Sequence, residues 1–125
     1  MTGQMNYHQT KQLRDRLKSR KECHIQHLHE ETERLTREAV KMGARKVILF
    51  GSVASGNTAL SSDLDLIIVI DSGLDFLDRT GAVYRQLKPR IGVDLLVYTP
   101  EEIKKMKDNP FLKRAMKTGR ILYEA

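Results

Sequence analysis

Val47-Ile48-Leu49-Phe50-Gly51-Ser52, then ten residues, then Asp63-Leu64-Asp65-Leu66-Ile67-Ile68-Val69-Ile70: the reading of this stretch decides the fold. Two short runs of branched apolar residues read as buried strands. The gap between them opens on a glycine and a hydroxyl and closes on two carboxylates one residue apart. Side chains two apart on a strand share a face, so Asp63 and Asp65 can reach one cation, or a pair of cations, together. At Gly51 the backbone can approach a phosphate where a β-carbon would clash. Ser52 to Ser55 can form a short helix, broken by Gly56-Asn57, and free N–H groups at a helix start take anions. The order of strand, glycine-hydroxyl turn and paired carboxylates suits metal-assisted phosphoryl chemistry.

A third carboxylate lies downstream. Asp94 stands near the start of the apolar run Val93 to Tyr98. If that strand pairs beside the second, Asp94 faces the same side as Asp63 and Asp65. Three clustered carboxylates repel one another unless a cation or a base offsets them. Hard oxygen ligands of this kind favour Mg²⁺, which shares its shell with substrate phosphates. A carboxylate inside an apolar strand is costly without a partner, so Asp65 and Asp94 resist a purely structural reading. Gly51-Ser52 alone is an ordinary turn, and Asp63 alone could be a cap.

The remaining segments frame this core. Asn6 to Met42 reads as a helix, with apolar positions at Leu13, Leu17, Ile25, Leu28, Leu35, Ala39 and Met42 and a stop at Gly43. Its polar middle, Ser19 to His24, leaves two helices as an alternative. Leu64 to Ile70 is apolar on both faces and belongs at the centre of a sheet. Leu74 to about Arg90 reads as a helix with Leu74, Leu77, Val83, Tyr84 and Leu87 inward. Thr99-Pro100-Glu101-Glu102 is a helix start with capping-box spacing. A short helix over Phe111 to Lys117 follows Asn109-Pro110, and Gly119 releases Ile121 to Tyr123 as an edge strand. The expected class is α/β (α+β): a small mixed sheet of three to four strands, with helices covering one face. The expected division is a helical arm over residues 1–44 and a domain over residues 45–125.

The chain of 125 residues suffices for one core, and 40% hydrophobic with 30% charged residues is ordinary for a globular protein. The net charge of +6 is uneven. Residues 1–45 hold ten Lys and Arg against six Asp and Glu, residues 46–99 five against six, and residues 100–125 seven against four. Charges of mixed sign and scattered tyrosines disfavour direct nucleic-acid binding. Lys104, Lys105 and Lys107 read as a solvated face, as do Lys113, Arg114 and Lys117, with a place near an acceptor or partner as the alternative for the last three. Cys23, His24, His27 and His29 read as a polar helix face rather than a zinc site. Asp71, Asp75 and Asp78 mark a helix start. A single cysteine, no apolar span and a polar N-terminus make a cytoplasmic protein without membrane contact the expectation. The long arm invites a homo-oligomer.

The spacing Gly51-Ser52, ten residues, Asp63-x-Asp65, with Asp94 on a following strand, resembles the nucleotidyltransferase superfamily of DNA polymerase β type. The length resembles its minimal nucleotidyltransferase group. The resemblance spans roughly Arg45 to Tyr123 and includes the tail Phe111-Leu112-Lys113-Arg114-Ala115…Gly119-Arg120-Ile121-Leu122-Tyr123. It implies transfer of a nucleoside monophosphate, AMP from ATP, to a hydroxyl. It implies Asp63, Asp65 and Asp94 as catalytic residues holding two Mg²⁺ ions, with Mn²⁺ as a substitute, and Gly51 and Ser52 on the nucleotide. It further implies an antitoxin that modifies a tyrosine of a HEPN-domain toxin, a helical ribonuclease. The alternatives are an antitoxin acting by contact alone, or a small-molecule transferase of antibiotic-resistance type. Family members carry basic residues in the turn after Gly-Ser, whereas this chain has neither Lys nor Arg between Phe50 and Leu77. The triphosphate charge is then expected to be met by metal, by backbone amides or by residues from elsewhere, with Arg45 and Lys46 as candidates.

Overall fold

The computed structural model describes residues 7–54, 56 and 63–125. The elements run α1 (Tyr7–Lys41), β1 (Lys46–Phe50), α2 (Gly51–Ala54), β2 (Leu64–Val69), α3 (Phe76–Leu87), β3 (Val93–Tyr98), α4 (Pro100–Lys105), α5 (Pro110–Thr118) and β4 (Arg120–Glu124). The predicted helix start at Asn6 and the Ser55 and Asn57 positions lie outside the described residues. The sheet order is β3-β2-β1-β4, with β2 central and β4 at an edge, as expected. β1 is antiparallel to β2 and β4, whereas β2 and β3 are parallel. A parallel pair needs a crossover, and α3 supplies it.

The sheet is covered on both faces, not one. Val47, Leu49, Leu66, Ile68, Leu95 and Val97 pack with Leu28, Leu35 and Ala39 of α1 and with Val83 and Leu87 of α3. Ile48, Ile67, Val69 and Tyr98 pack with Leu112 and Ala115 of α5. The unbroken apolar run of β2 requires this, because alternate side chains need an apolar neighbour on each side. Phe50 continues the second face and meets Phe111 edge-on, with ring centroids 5.6 Å apart.

Helix α3 differs from its expected orientation. It starts at Phe76 behind Asp75, whose side chain accepts from Asp78 N. Leu74 and Leu77 are 51% and 78% exposed and Tyr84 is exposed too, while Arg79 is buried. The buried stripe runs Arg79–Val83–Leu87 at one-turn spacing. Residue 77 then sits about 200° round the helix from 79 and faces outward. What turns Arg79 inward is its polar partners: its guanidinium donates to Val97 O at 2.7 Å, to Leu74 O at 2.9 Å and to Glu102 Oε1 at 2.6 Å. Glu102 simultaneously accepts from Thr99 N and completes the predicted capping box of α4. Asp71 forms an ion pair with Arg45 and lies outside the helix start.

Helix α1 is continuous through Ser19–His24, spanning 35 residues and about 52 Å. Only its second half enters the core, from Leu28 onward; Leu13 and Leu17 are exposed. A buried polar junction fixes that half. The Glu31 carboxylate, 5% exposed, accepts from Arg34 Nε at 2.6 Å and from Arg90 N. Arg34 donates onward to Leu87 O and Lys88 O, the free carbonyls at the end of α3. Lys88 caps α3 in a left-handed conformation. The Arg34 guanidinium and the Arg90 amide hold the Glu31 carboxyl below the usual range, outweighing burial. Breaking one partner strands a buried charge, so Arg34→Ala should lower unfolding free energy by about 3 kcal/mol in urea titration. Leu17→Ala, on the exposed half, should change it by less than about 0.5 kcal/mol.

Candidate active site

The sheet registers Asp65 directly opposite Asp94 on parallel strands, with Phe50 opposite Asp65 on the other flank. Residues paired across a sheet point to the same face. Phe50, Asp65 and Asp94 therefore form a row across three strands, on the face that α5 covers. The row lies at one end of the sheet, where β1 ends and β2 and β3 begin.

Asp65 is half-buried, and Asp63 and Asp94 are exposed. The Asp65 carboxyl is pushed up to about 6, first by burial, then by its hydrogen bond and repulsion with Asp94, and last by the charge of Asp63. Two carboxyls in hydrogen-bond contact need a shared proton or a cation between them. The predicted residues are thus brought together unequally. Asp65 and Asp94 touch, whereas Asp63 bears on them through its charge. Among the described residues, no group of three or more His, Cys, Asp or Glu side chains has the arrangement of a metal site. The donor set nonetheless suits a hard divalent cation: oxygen ligands only, and repulsion that a cation would relieve.

Two glycines make room for these carboxylates. Gly51 adopts φ +76°, and a β-carbon there would collide with the Asp65 carboxylate. A β-carbon at Gly92 would lie 2.5 Å from Asp63 Oδ1. Gly92 O also accepts from Leu64 N, closing the sheet beside the carboxylates. Gly51 was legible as a turn residue; the function of Gly92 was not. Its sequence signal is a glycine at the strand entry preceding Asp94. Ser52 is the second residue of α2, two residues after the end of β1, and its side chain lies outside the described part.

The basic residues expected to meet phosphate are at the wrong end. Arg45 pairs with Asp71 at 2.6 Å, and Lys46 with Glu124 at 3.7 Å. Both precede or open β1, whereas Gly51 follows its last residue. Gly51 lies five residues along the strand from Lys46, about 16 Å, and Arg45 is one residue further. Cys23 Sγ and His27 Nε2 stand 3.9 Å apart on the exposed surface of α1. Among the described residues, no helix is long and apolar enough to cross a membrane.

The sequence pattern of the family described as "Polymerase beta, Nucleotidyltransferase" matches residues 41–125. A Methanocaldococcus jannaschii protein named as a candidate protein adenylyltransferase is 32% identical over 80 residues, covering 63% of this chain and 78% of the relative. A crystal structure of a candidate nucleotidyltransferase from Sulfolobus solfataricus superposes with a TM-score of 0.62 at 21% identity. That match covers 84% of this chain and 87% of the other, and establishes a shared fold. A toxin-antitoxin structure with AMP-PNP gives a TM-score of 0.46 at 18% identity, over 77% of this chain and 73% of that one.

The raised Asp65 carboxyl has a thermodynamic signature. It binds its proton more tightly folded than unfolded, so it adds stability below about pH 4 that is lost as the pH rises through about 6. In EDTA, the thermal midpoint of the Asp65→Asn variant should exceed that of the wild type at pH 7.5, and the gap should close toward pH 4.5. Gly51→Ala should cost at least about 1–2 kcal/mol in the same assay, from the left-handed conformation alone.

Proposed function

The chain belongs to the polymerase beta nucleotidyltransferase family, and from that premise we propose that it transfers AMP from ATP to a tyrosine hydroxyl of a partner protein, a HEPN-domain toxin, and so acts as an antitoxin. Nucleotidyl transfer itself follows from the family. The observation that carries the site assignment is the Asp65–Asp94 pair abutting the Gly51 turn. A protein acceptor is supported by the name of the Methanocaldococcus relative. The HEPN partner rests on the resemblance of motif and tail to minimal nucleotidyltransferases.

In this reading Asp63, Asp65 and Asp94 hold Mg²⁺, or Mn²⁺ in its place, and Gly51 and Ser52 hold the β- and γ-phosphates. Bound divalent cations would neutralise the carboxylates and draw charge from the phosphates. The chain's own groups divide the remaining work. The side-chain-free Gly51 lets the polyphosphate approach the carboxylates. Asp94, exposed at the mouth of the site, takes the acceptor proton. The acceptor oxygen bonds to the α-phosphorus, the bridge between α- and β-phosphate breaks, and pyrophosphate leaves with its electrons. The products are an AMP–O–acceptor ester, pyrophosphate and one proton.

The test uses ATP labelled at either the α- or the γ-phosphate, Mg²⁺ and the protein encoded by the adjacent reading frame, which this reading expects to be a HEPN-domain toxin. Label should reach a tyrosine of that protein from α-labelled ATP alone. Asp65→Asn and Asp94→Asn should each reduce the rate by about a hundredfold or more. Protection from the toxin by the doubly substituted protein, at wild-type level and without label transfer, would show neutralisation by contact and refute the enzymatic proposal.

A further inference from the structure

Triphosphate carries several negative charges, and Asp63, Asp65 and Asp94 already crowd one end of the sheet. The Gly51 turn has no basic residue of its own, and Arg45 and Lys46 are held at the far end. Any basic side chain that joins the metal in meeting the phosphates comes from another element. A cavity of about 420 Å³ opens against the turn, lined by Phe50, Gly51, Phe111, Arg114, Ala115 and Thr118. Its size falls within the range of small-molecule pockets, roughly 300–1,000 Å³. Phe50 is the cross-strand neighbour of Asp65, so the cavity adjoins the carboxylate row on the same sheet face.

Among the described residues, Arg114 is the one basic residue lining the cavity. It projects from the second turn of α5, is exposed, and among the described residues forms no ion pair. Its neighbours in sequence differ. Lys113 pairs with Asp108, and both Lys113 and Lys117 line a separate groove between α4 and α5 with Lys46 and Met106. Two further cations near α2, Lys21 and Arg120, line a cavity with Leu49 and Val53, whose core contacts place it on the opposite sheet face. Among the described residues, Arg114 alone combines a guanidinium without an ion pair, contact with the Gly51 cavity and the carboxylate face. A guanidinium fork bonds two phosphate oxygens at once and stays charged at any working pH. Beside it, Phe111 leaves nearly half its surface open as an apolar wall.

Building on the nucleotidyl-transfer reading, we propose that the cavity between β1 and α5 is the nucleotide's polyphosphate pocket, and that Arg114 supplies across the fold the positive charge that the Gly51 turn lacks. The carboxylates approach the triphosphate from one side and Arg114 from the other. The acceptor then enters over the exposed Asp94, away from α5.

The probe is the α,β-methylene analogue of ATP with Mg²⁺, titrated calorimetrically into wild type, Arg114→Ala, Arg114→Lys and Lys117→Ala. Arg114→Ala should weaken binding by about tenfold or more, the loss of a charge-assisted phosphate contact. Arg114→Lys should fall between it and the wild type. Lys117→Ala removes equal charge from the same helix and should stay within about twofold, as should AMP binding to Arg114→Ala. Circular dichroism melting of the Arg114 variants, matching that of wild type, excludes misfolding. Binding by Arg114→Ala within twofold of wild type, an equal loss in Lys117→Ala, or an equal loss of AMP affinity would overturn the assignment. Absence of nucleotide uptake by wild type would instead sink the transferase reading, and this pocket with it.

Discussion

Two carboxyl groups that would repel each other are held side by side by the pairing of two parallel strands. Asp65 opposite Asp94 is a register fact, fixed by which residues of β2 and β3 face each core. Leu66 and Ile68 must meet α1 and α3 while Ile67 and Val69 meet α5. Slipping either strand by one residue would reverse both faces, so apolar packing on two sides locks the carboxylates together. The cost appears at Asp65, where burial and like charge push the carboxyl to about 6. A folded protein keeps such a conflict only when its core outweighs it, and conflicts of this kind concentrate where ligands bind.

The sheet also separates charge along its length. The end where β1 stops carries Asp63, Asp65 and Asp94 with the Gly51 turn. The end where β1 starts carries the Arg45–Asp71 and Lys46–Glu124 pairs. Cations placed there cannot relieve the carboxylates. Surface pairs of this sort contribute little stability, so the strand ends rest chiefly on the sheet's own pairing.

Two arginines, Arg79 buried and Arg34 partly so, give the helices their seats. Arg34 joins Glu31 to the free carbonyls at the end of α3, and Arg79 joins α3 to β3 and to the Glu102 capping box. Each guanidinium satisfies several partners at once, as a buried charge requires. The consequence for the site is indirect and firm. α3 is the crossover between the strands that carry Asp65 and Asp94, so whatever seats α3 keeps those strands parallel and adjacent. The outer half of α1 takes no part in this and projects with Leu13 and Leu17 exposed.

The local code of the chain was sufficient for much of this. Apolar runs gave the strands, Thr99 with Glu102 gave the start of α4, Gly43 gave the end of α1, and two aspartates at strand spacing beside a glycine turn pointed to the site. These signals are short-range: alternation, capping and turn chemistry act over a few residues. The inward turn of Arg79, the outward turn of Leu77, the distance of Arg45 and Lys46 from Gly51, the fit of Gly92 against Asp63 and the presence of Arg114 beside Gly51 were set elsewhere. Each depends on which side of a sheet or helix meets a partner tens of residues away. Hydropathy had no means to rank a leucine below an arginine that finds three acceptors, and the ion pairs that hold Arg45 and Lys46 at the start of β1 join residues 26 and 78 positions apart. Sequence determined which groups could do chemistry; long-range packing decided which of them share a space.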